Sequence, residues 1–311
     1  MGVIVEAVVP LFAVIFLGFG AGRRGLLTDT GIRELNTFVL YIALPPLLFR
    51  AMARAPLEGF SDFRGLGAYI GVEVVVFLLA IGLGRIWLRR PGGEVVVQGF
   101  GAIFANGVFI TLPLIQSLYG EAGLLPVLLI ITWDGIAVFV VGIVLMESVA
   151  GQGRASAQAV ARSVFTHPVI MALLAGLVYG LLDGPIPAVV DKTLVLLGQA
   201  TAPGALFGLG AALSLQPIAR DHRPLAVMVV LKLLLHPLLL WLLLTRLDDL
   251  PPLWLEVAVI NAAMPCGAMV YVLAQRYSAG VALASAAVLT STLLGLFTVS
   301  GWLWWVLPAT P

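Results

Sequence analysis

The sequence has few charged residues. Asp, Glu, Lys and Arg make up 11% of its 311 residues, against about 25% in ordinary soluble domains. Together with a mean hydropathy of +1.09, this scarcity excludes a soluble domain and predicts an integral membrane protein. The formal net charge is +1, and no basic stripe with interleaved aromatic residues is present. Nucleic-acid binding is therefore not expected.

Residues that usually carry catalysis or bind metals are also scarce. The single cysteine, Cys266, excludes a disulfide framework and a cysteine-rich metal site within one chain. The three histidines, His167, His222 and His236, are too scattered for a metal triad. The apolar runs contain neither a Gly-x-Ser-x-Gly motif nor paired acidic metal ligands. We therefore expect no enzyme, no metal site and no cofactor other than a coupling Na⁺ or H⁺.

Long apolar runs dominate the sequence instead. About 20 apolar residues are needed to cross the hydrocarbon core of a bilayer as a helix. The runs are continuously apolar rather than alternating with a period of two, which favours helices over a β-barrel. We predict an all-α membrane protein with ten transmembrane helices at residues 3–21, 35–54, 66–88, 95–118, 122–147, 166–182, 193–215, 224–246, 253–275 and 280–306.

The positive charges indicate the orientation in the membrane. Loops after spans 1, 3, 5, 7 and 9 hold eleven Lys and Arg residues, including Arg33, whereas the opposite loops hold five. Cytoplasmic loops carry the excess of Lys and Arg. We therefore predict a multi-pass protein of the cell (inner) membrane with both termini outside.

The two halves of the chain share a pattern. The second span contains "PPLLF" (Pro45 to Phe49) and the seventh "PGALF" (Pro203 to Phe207), and the fourth helix of each half holds a further proline, Pro113 or Pro265. Because five helices is an odd number, the halves must have opposite orientations, as in the inverted repeats of secondary transporters. The predicted domains are a first repeat (1–147), a short cytoplasmic linker (148–165) and a second repeat (166–311).

Two motifs interrupt the predicted fourth and ninth helices: "NGVFITLP" (Asn106 to Pro113) and "NAAMPCG" (Asn261 to Gly267). Proline removes a helical hydrogen bond and often starts a new helix. If each helix breaks at its proline, the N–H groups that follow, of Leu114 to Gln116 and of Cys266 to Ala268, are unpaired and attract anions. In an inverted repeat the two breaks cross, which predicts a site for an anionic substrate, most simply a carboxylate.

An alternative is that these prolines only kink their helices and that the two amides only join helices by hydrogen bonds. Asn106 lies seven residues before Pro113, whereas Asn261 lies four before Pro265, so the amides are not expected to be repeat equivalents. The candidate substrate-binding residues are Asn106, Pro113, Leu114, Asn261, Pro265, Cys266, Gly267 and Tyr41, the last in the second span.

Four ionisable residues lie inside the predicted spans: Glu73 in the third, Asp134 in the fifth, and Lys232 with His236 one turn later in the eighth. Such residues are costly in lipid and are candidates for ion coupling or for a substrate counter-ion. A carboxylate that exchanges a proton or binds Na⁺ would couple transport to an ion gradient. The alternative is a structural ion pair that holds helices together.

Six segments, in order along almost the whole chain, carry a resemblance to a known family: "LNTFVLYIALPPLLFRAMA", "FANGVFITLPLIQSLYG", "HPVIMALLAGLVYG", "LGQATAPGALFGLGAAL", "KLLLHPLLLW" and "NAAMPCGAMVYVLAQRYSAG". Through them the sequence resembles the auxin efflux carrier family, which includes plant auxin exporters and bacterial malonate or malate carriers. The resemblance implies ten helices in an inverted repeat, a scaffold part and a transport part, and helix crossovers at Pro113 and Pro265. It also implies elevator-like alternating access for organic anions, commonly in a homodimer.

The resemblance assigns Asn106 and Pro113 to the family's fourth-helix stretch, whose amide is associated with substrate, and Pro265 to the ninth-helix crossover. Two features depart from the family. Met269 stands where many bacterial members have asparagine, which weakens the expected polar contacts. The linker 148–165 is short where plant exporters carry a long insertion, which favours a bacterial-type carrier.

The predicted function is a secondary carrier of small organic anions, such as malonate, malate or the auxin indole-3-acetate, within the lipid bilayer. The alternative on the same architecture is a Na⁺- or H⁺-coupled symporter or antiporter, resembling bile-acid and Na⁺/H⁺ carriers. In that alternative, Glu73 and Asp134 are the ion ligands. A channel also remains open, although a break in each half suits alternating access better.

Overall fold

The computed structural model describes residues 2–54, 63–150, 168–182, 184–215 and 222–307, so most of the predicted linker 148–165 lies outside the described residues. Apart from one isolated β-bridge, the regular structure in these ranges is helical. The helices are α1 (Gly2–Arg23), α2 (Asp29–Ala53), α3 (Arg64–Trp87), α4 (Gly92–Ile103), α5 (Gly107–Tyr119), α6 (Leu124–Val149), α7 (Pro168–Leu181), α8 (Ala188–Ser214), α9 (His222–Leu244), α10 (Pro252–Ala263), α11 (Met269–Arg276) and α12 (Val281–Val306).

The helices confirm the predicted class, an all-α integral membrane protein. Among the described residues, seven are long and apolar enough to cross a membrane: α1, α2, α3, α6, α8, α9 and α12. Three shorter apolar helices, α5, α7 and α10, accompany them. Large apolar side chains point outward, such as Leu78 (60% exposed) and Phe297 (73% exposed). In lipid such side chains need no covering.

Helices α1, α2, α7 and α8 form one packed group. The second half of α8 lies along α1, and α7 lies along the second half of α2. Glycines allow the close approach of α1 and α8, because a Cβ at Gly210 would overlap the carbonyl of Ile15, and one at Gly18 would overlap the carbonyl of Phe207. Small residues at such contacts are typical of helix pairs in membranes, where backbones pack directly.

Ion pairs add to this group near the end of α2. Arg50 Nε donates to Asp191 Oδ1 of α8 at 2.7 Å, and Arg54 lies 2.9 Å from the same oxygen. Arg50 also lies 3.5 Å from Glu121, in the turn before α6. Arg50 therefore links its own group to the helices that carry the site.

A second group consists of α3, α4, α9, α10, α11 and α12, with α5 and α6 against it. Its interior contains polar side chains among the apolar ones. Gln98, for example, is fully buried, and its side-chain amide donates to the carbonyl of Ala80 at 3.0 Å. Burial of a polar group costs free energy unless it is hydrogen bonded, so the partners of the other buried polar groups are informative. These are Glu73, Asn106, Thr111, Asp134, Lys232, His236 and Asn261, with Ser285, Ser291 and Thr292 on α12.

Two helical paths of the second group are interrupted. Between α4 and α5, Phe104 is extended (ψ 114°) and Asn106 precedes the first residue of α5. Between α10 and α11, Met264 is extended (ψ 153°), as expected for a residue before proline. The chain thus contains two short non-helical segments at 104–106 and 264–268.

The first break lies seven residues before Pro113, which corrects the predicted start of the new helix at that proline. Pro113 is inside α5, just after a five-residue π-turn, Gly107–Thr111. The N–H of Leu112 reaches the carbonyl of Gly107, so the helix is already established when the proline is reached. The N–H of Leu114 therefore lies within a helix rather than at its exposed start. The free N–H groups belong to the first turn of α5.

Candidate functional site

The two breaks are hydrogen bonded to each other. The N–H of Asn106 donates to the carbonyl of Pro265 at 2.9 Å, and the N–H of Gly267 donates to the carbonyl of Phe104 at 3.0 Å. Backbone groups away from water need such partners. Each break therefore supplies a hydrogen-bond partner for a backbone group of the other, and these bonds hold the two breaks together.

The second break is also anchored from α12 and α4. Cys266 pairs with Ala105 in an antiparallel bridge, and its N–H donates to Ser291 Oγ at 3.0 Å. Its thiol donates to the carbonyl of Gly101 at 3.1 Å. Next to it, a Cβ at Gly267 would lie 2.7 Å from the carbonyl oxygen of Ala105. The backbones come so close that only glycine fits there without a shift.

Asn261 supports the first break from behind. Its side-chain carbonyl accepts a hydrogen bond from Thr111 Oγ1 at 2.7 Å, and its amide group donates to the hydroxyl of Tyr69 at 2.9 Å. All three residues are fully buried. This chain of bonds joins α5, α10 and α3, so Asn261 positions the first turn of α5.

A cavity of about 410 Å³ lies at the two breaks. Its wall includes Asn106 and Gly107 at the start of α5, and Gly267, Ala268 and Met269 at the start of α11. The first N–H groups of a helix lack intrahelical partners and carry partial positive charge. The volume suits a small molecule. The N–H groups of Cys266 and Gly267, predicted to be unpaired, are instead hydrogen bonded to Ser291 and Phe104. The attraction for an anion at α11 therefore comes from the partial positive charge of the helix end rather than from these two donors.

Asn106, in the same wall, has a buried side-chain donor without a partner among the residues that the structure describes. It is 4% exposed, and its side-chain nitrogen Nδ2 has no hydrogen-bond partner within the described part of the chain. An unsatisfied buried amide costs about 1–3 kcal/mol. A bound acceptor such as a carboxylate oxygen would remove that cost.

Other polar groups reach the cavity from the surrounding helices. Thr28 caps α2 by accepting a hydrogen bond from the N–H of Gly31 at 3.1 Å, and the first turns of that helix bring Arg33 and Asn36 to the wall. At the sequence level Arg33 counts only as a loop charge, and Asn36 gives no signal beyond one amide in an apolar run. Tyr271 of α11 and Ser285 of α12 also line the cavity, and sequence reasoning missed both.

The predicted ionisable residues lie together at one side of the cavity. Asp134 lines the wall and is 3% exposed, and Glu73 is 2% exposed. The indole N–H of Trp133 donates to Glu73 Oε2 at 2.8 Å. Lys232, fully buried, donates to the carbonyl of Ala262 at 2.9 Å, and its charge acts on both carboxyl groups.

The remaining candidates lie away from the cavity wall. His236 is fully buried, and its ring centroid lies 5.7 Å from that of Tyr69. Tyr41 is 56% exposed on α2 and faces outward. Pro113 and Leu114 lie inside α5, after its first turn. Of the predicted site residues, the wall contains Asn106, Gly267 and Asp134.

Comparison with known proteins identifies the family. The family described as "Membrane transport protein" matches residues 3–303. The chain belongs to this family, that of the auxin efflux carriers. The resemblance stated from the sequence is thereby confirmed, and the family consists of transporters rather than enzymes.

Relatives in bacteria and plants cover nearly the whole chain. A Rhizobium meliloti protein named "Putative malonate transporter" is 33% identical over 307 residues, which is 98% of this chain and 96% of the relative. An Escherichia coli protein named "Uncharacterized transporter YfdV" is 26% identical over 300 residues, 95% of each chain. "Auxin efflux carrier component 8" of Arabidopsis thaliana is 23% identical over 350 residues, again 95% of each.

Proposed function

We propose that this carrier moves small organic anions across the cell membrane and binds them in the cavity between the two breaks. The observation that carries the proposal is the unpartnered Nδ2 of Asn106 beside two helix N-termini in one cavity. A carboxylate fits this arrangement because it accepts several hydrogen bonds and carries the complementary charge. No Lys or Arg side chain has to contact the anion directly, since the Asn106 amide and the two helix N-termini together attract it.

The substrate we propose is a small carboxylate, with malonate first and malate next. A relative 33% identical to this chain is named for malonate, and a cavity of about 410 Å³ accommodates it. Indole-3-acetate is the larger candidate, because a plant relative is named an auxin efflux carrier. Phe104, Val108 and Ile131 supply apolar wall on which an aromatic ring could pack.

We further propose ten membrane crossings, in which α4 with α5 forms the fourth and α10 with α11 the ninth. The two breaks then form the crossover of an inverted repeat. The length and apolarity of seven helices and the three shorter ones support this count. The homodimer implied by the family resemblance remains a prediction, and light scattering of the detergent-solubilised protein measures it.

The way in which the two helix groups meet supports the proposal of alternating access. Asn36, Leu40 and Leu209 line the cavity from α2 and α8, whereas both breaks line it from the other side. A sliding movement of one group against the other would carry the breaks and their bound anion across the membrane, as in an elevator. The cavity reaches Arg33, which the charge pattern assigns to the cytoplasm, so we propose that this conformation opens inward.

Uptake of radiolabelled malonate into proteoliposomes tests the site. Asn106→Ala removes the free donor, and we expect the apparent affinity to fall about tenfold or more. Asn106→Asp places a negative charge in the wall and should reduce binding further. Gln116→Ala, which removes an exposed amide from the same helix, is the matched control and should transport normally. Wild-type uptake in both Asn106 variants would place the substrate elsewhere.

A cation-coupled carrier is the second candidate, and one observation favours it. Asp134 lies in the cavity wall with Glu73 next to it, so a cation bound there would sit beside the anion. Malonate uptake measured with and without an imposed Na⁺ or pH gradient distinguishes this candidate from an uncoupled carrier.

A further inference from the structure

We infer that Glu73 and Asp134 together hold one transported proton, which binds with the organic anion and crosses the membrane with it. This inference rests on the proposed carrier function and specifies its coupling ion. It concerns the pair of carboxyl groups at the side of the cavity, which the anion site itself does not require.

The contacts of the two carboxyl groups leave room for one shared hydrogen. They lie within hydrogen-bonding reach of each other. Glu73 Oε2 accepts the Trp133 indole N–H, but Glu73 Oε1 and Asp134 Oδ1 receive no hydrogen bond from donors of the described residues. Two adjacent carboxylates without donors repel each other, whereas one proton between them supplies the missing hydrogen bond.

The charges of Glu73, Asp134 and Lys232 also indicate a single proton. With both carboxyl groups ionised, Glu73 and Asp134 carry two negative charges against the single positive charge of Lys232. A net charge enclosed in a membrane protein is costly. One proton on the pair makes the cluster of three residues neutral.

A proton fits this place better than a metal cation does. Lys232 already provides a fixed positive charge beside the carboxyl groups, and it would repel Na⁺. Na⁺ also needs several oxygen ligands, and the pair offers few.

Three other titratable groups, Tyr69, His236 and Cys266, lie near the pair. The Tyr69 hydroxyl, on the same helix as Glu73, accepts a hydrogen bond from Asn261. The two ring nitrogens of His236 on α9 have no hydrogen-bond partner among the described residues, but the neighbouring positive charge of Lys232 opposes a proton on that ring. The thiol of Cys266, also near Lys232, donates to the carbonyl of Gly101. The pair is therefore left to bind the proton.

The position of Asp134 connects the proton to the anion. Because it lines the cavity, a carboxylate substrate bound there faces Asp134, and Glu73 lies behind it. With both carboxyl groups ionised, the cluster with Lys232 has a net negative charge and repels the substrate, whereas the cluster that holds a proton is neutral and does not. Anion and proton consequently favour each other's binding, and this coupling is reciprocal. The proton enters from water in the cavity on one side and returns to water on the other.

The test uses proteoliposomes of the full chain that contain the pH indicator pyranine. Malonate uptake is measured in parallel with labelled malonate. Both sides contain equal potassium, valinomycin and no sodium, and there is no initial pH gradient. An inward malonate gradient should then acidify the lumen at a rate proportional to malonate uptake. Uptake of malonate by the wild-type protein without acidification would overturn the inference, and so would a requirement for Na⁺.

Variants show whether the proton travels on the pair or on the substrate. Glu73→Gln and Asp134→Asn each replace the shared proton with a permanent amide hydrogen. We expect both variants to exchange labelled for unlabelled malonate while lumenal acidification falls at least tenfold. Glu147→Gln removes a carboxyl group from the other end of α6 and should behave as wild type. Unchanged acidification in both pair variants would mean that the substrate itself carries the proton.

Failure of this inference is distinguishable from failure of the carrier function. If malonate and the other carboxylates neither bind nor move, the carrier function itself is wrong. If malonate moves and the lumen does not acidify, only the proton assignment fails. Loss of exchange in both pair variants, in protein that remains folded by thermal melting, would also count against it, because each variant pair has the same charge as the pair that holds one proton and should still admit the anion.

Discussion

The backbone nitrogen of Asn106 and the carbonyl oxygen of Pro265 lie 2.9 Å apart and are hydrogen bonded. A residue of the first half of the chain thus completes the break in the second half, although 159 positions separate them in sequence. This bond makes the two half-helices α5 and α11 start from a common point. The properties of that point lead to specific expectations.

Gly267 should not tolerate a side chain. The Cβ of Gly267→Ala would lie 2.6 Å from a Phe104 ring carbon and 2.7 Å from the carbonyl oxygen of Ala105. We expect a loss of stability of about 1–3 kcal/mol from this overpacking and loss of malonate uptake. Gly135→Ala is the control, because a Cβ there meets no atom within 4 Å. Thermal melting in detergent measures both, and equal midpoints would contradict the close approach.

The hydrogen bond between Thr111 and Asn261 should matter for the first break. Thr111→Val keeps the shape of the side chain but removes the donor to Asn261 Oδ1. Leaving that buried oxygen unsatisfied should cost about 1–3 kcal/mol, seen as a lower melting midpoint. Thr193→Val removes an exposed hydroxyl that bonds only its own helix and should have little effect. Equal melting midpoints for the two variants would show that the buried hydrogen bond stabilises the protein no more than the exposed one.

Lys232 should be needed to balance the buried carboxyl groups. Lys232→Met leaves them without a cation, and breaking a buried charge cluster typically costs about 3–5 kcal/mol. Adding Asp134→Asn removes the excess negative charge, so the double variant should be more stable than the sum of the two single effects predicts. Lys192→Met, at an exposed position, is the control. Strict additivity would show that Lys232 and Asp134 do not interact.

Arg33 should attract anions to the cavity. It is an exposed cation in the cavity wall, so its contribution should be modest and screened by salt. We expect Arg33→Gln to weaken the apparent affinity for malonate a few-fold at low ionic strength and hardly at all at high salt. Arg24→Gln, an exposed charge outside the cavity wall, should change neither. An effect that is independent of salt would point to a direct contact instead.

Close packing of α1 on α8 should depend on Gly210. Gly210→Ala brings a methyl group into the backbone carbonyl of Ile15, and the two helices must move apart. The melting midpoint should therefore fall, with overpacking of about 1–3 kcal/mol. Gly20→Ala, on α1, meets nothing within 4 Å and serves as the control. Similar midpoints for both variants would mean that the helices adjust without cost.

The all-helical membrane class could be predicted from the sequence, because long apolar runs indicate helices in lipid. The family could be predicted from the segments that resemble it. The second break could also be predicted, since Pro265 forces Met264 into an extended conformation. The first break does not lie at Pro113, because the helix has already begun in the π-turn that precedes this residue. The better signal was Asn106 followed by Gly107, since asparagine favours the position that caps a helix N-terminus.

The cavity wall was only partly predictable, and the reason is tertiary. Arg33, Asn36 and Ser285 join the wall because α2 and α12 pass the breaks, which no local pattern reveals. Glu73 and Lys232 were identified by the cost of ionisable groups in an apolar run. Their arrangement beside Asp134, however, depends on how three separate helices pack.

The burial of Cys266 has a practical consequence for spectroscopy. It is the chain's single cysteine, it is fully buried, and its thiol is hydrogen bonded to Gly101. Aqueous maleimide or spin-label reagents should therefore not reach it in the folded protein. Two cysteines introduced on the outer faces of α2 and α11 can be labelled in the natural background. The distance between the labels then reports directly whether one helix group slides against the other.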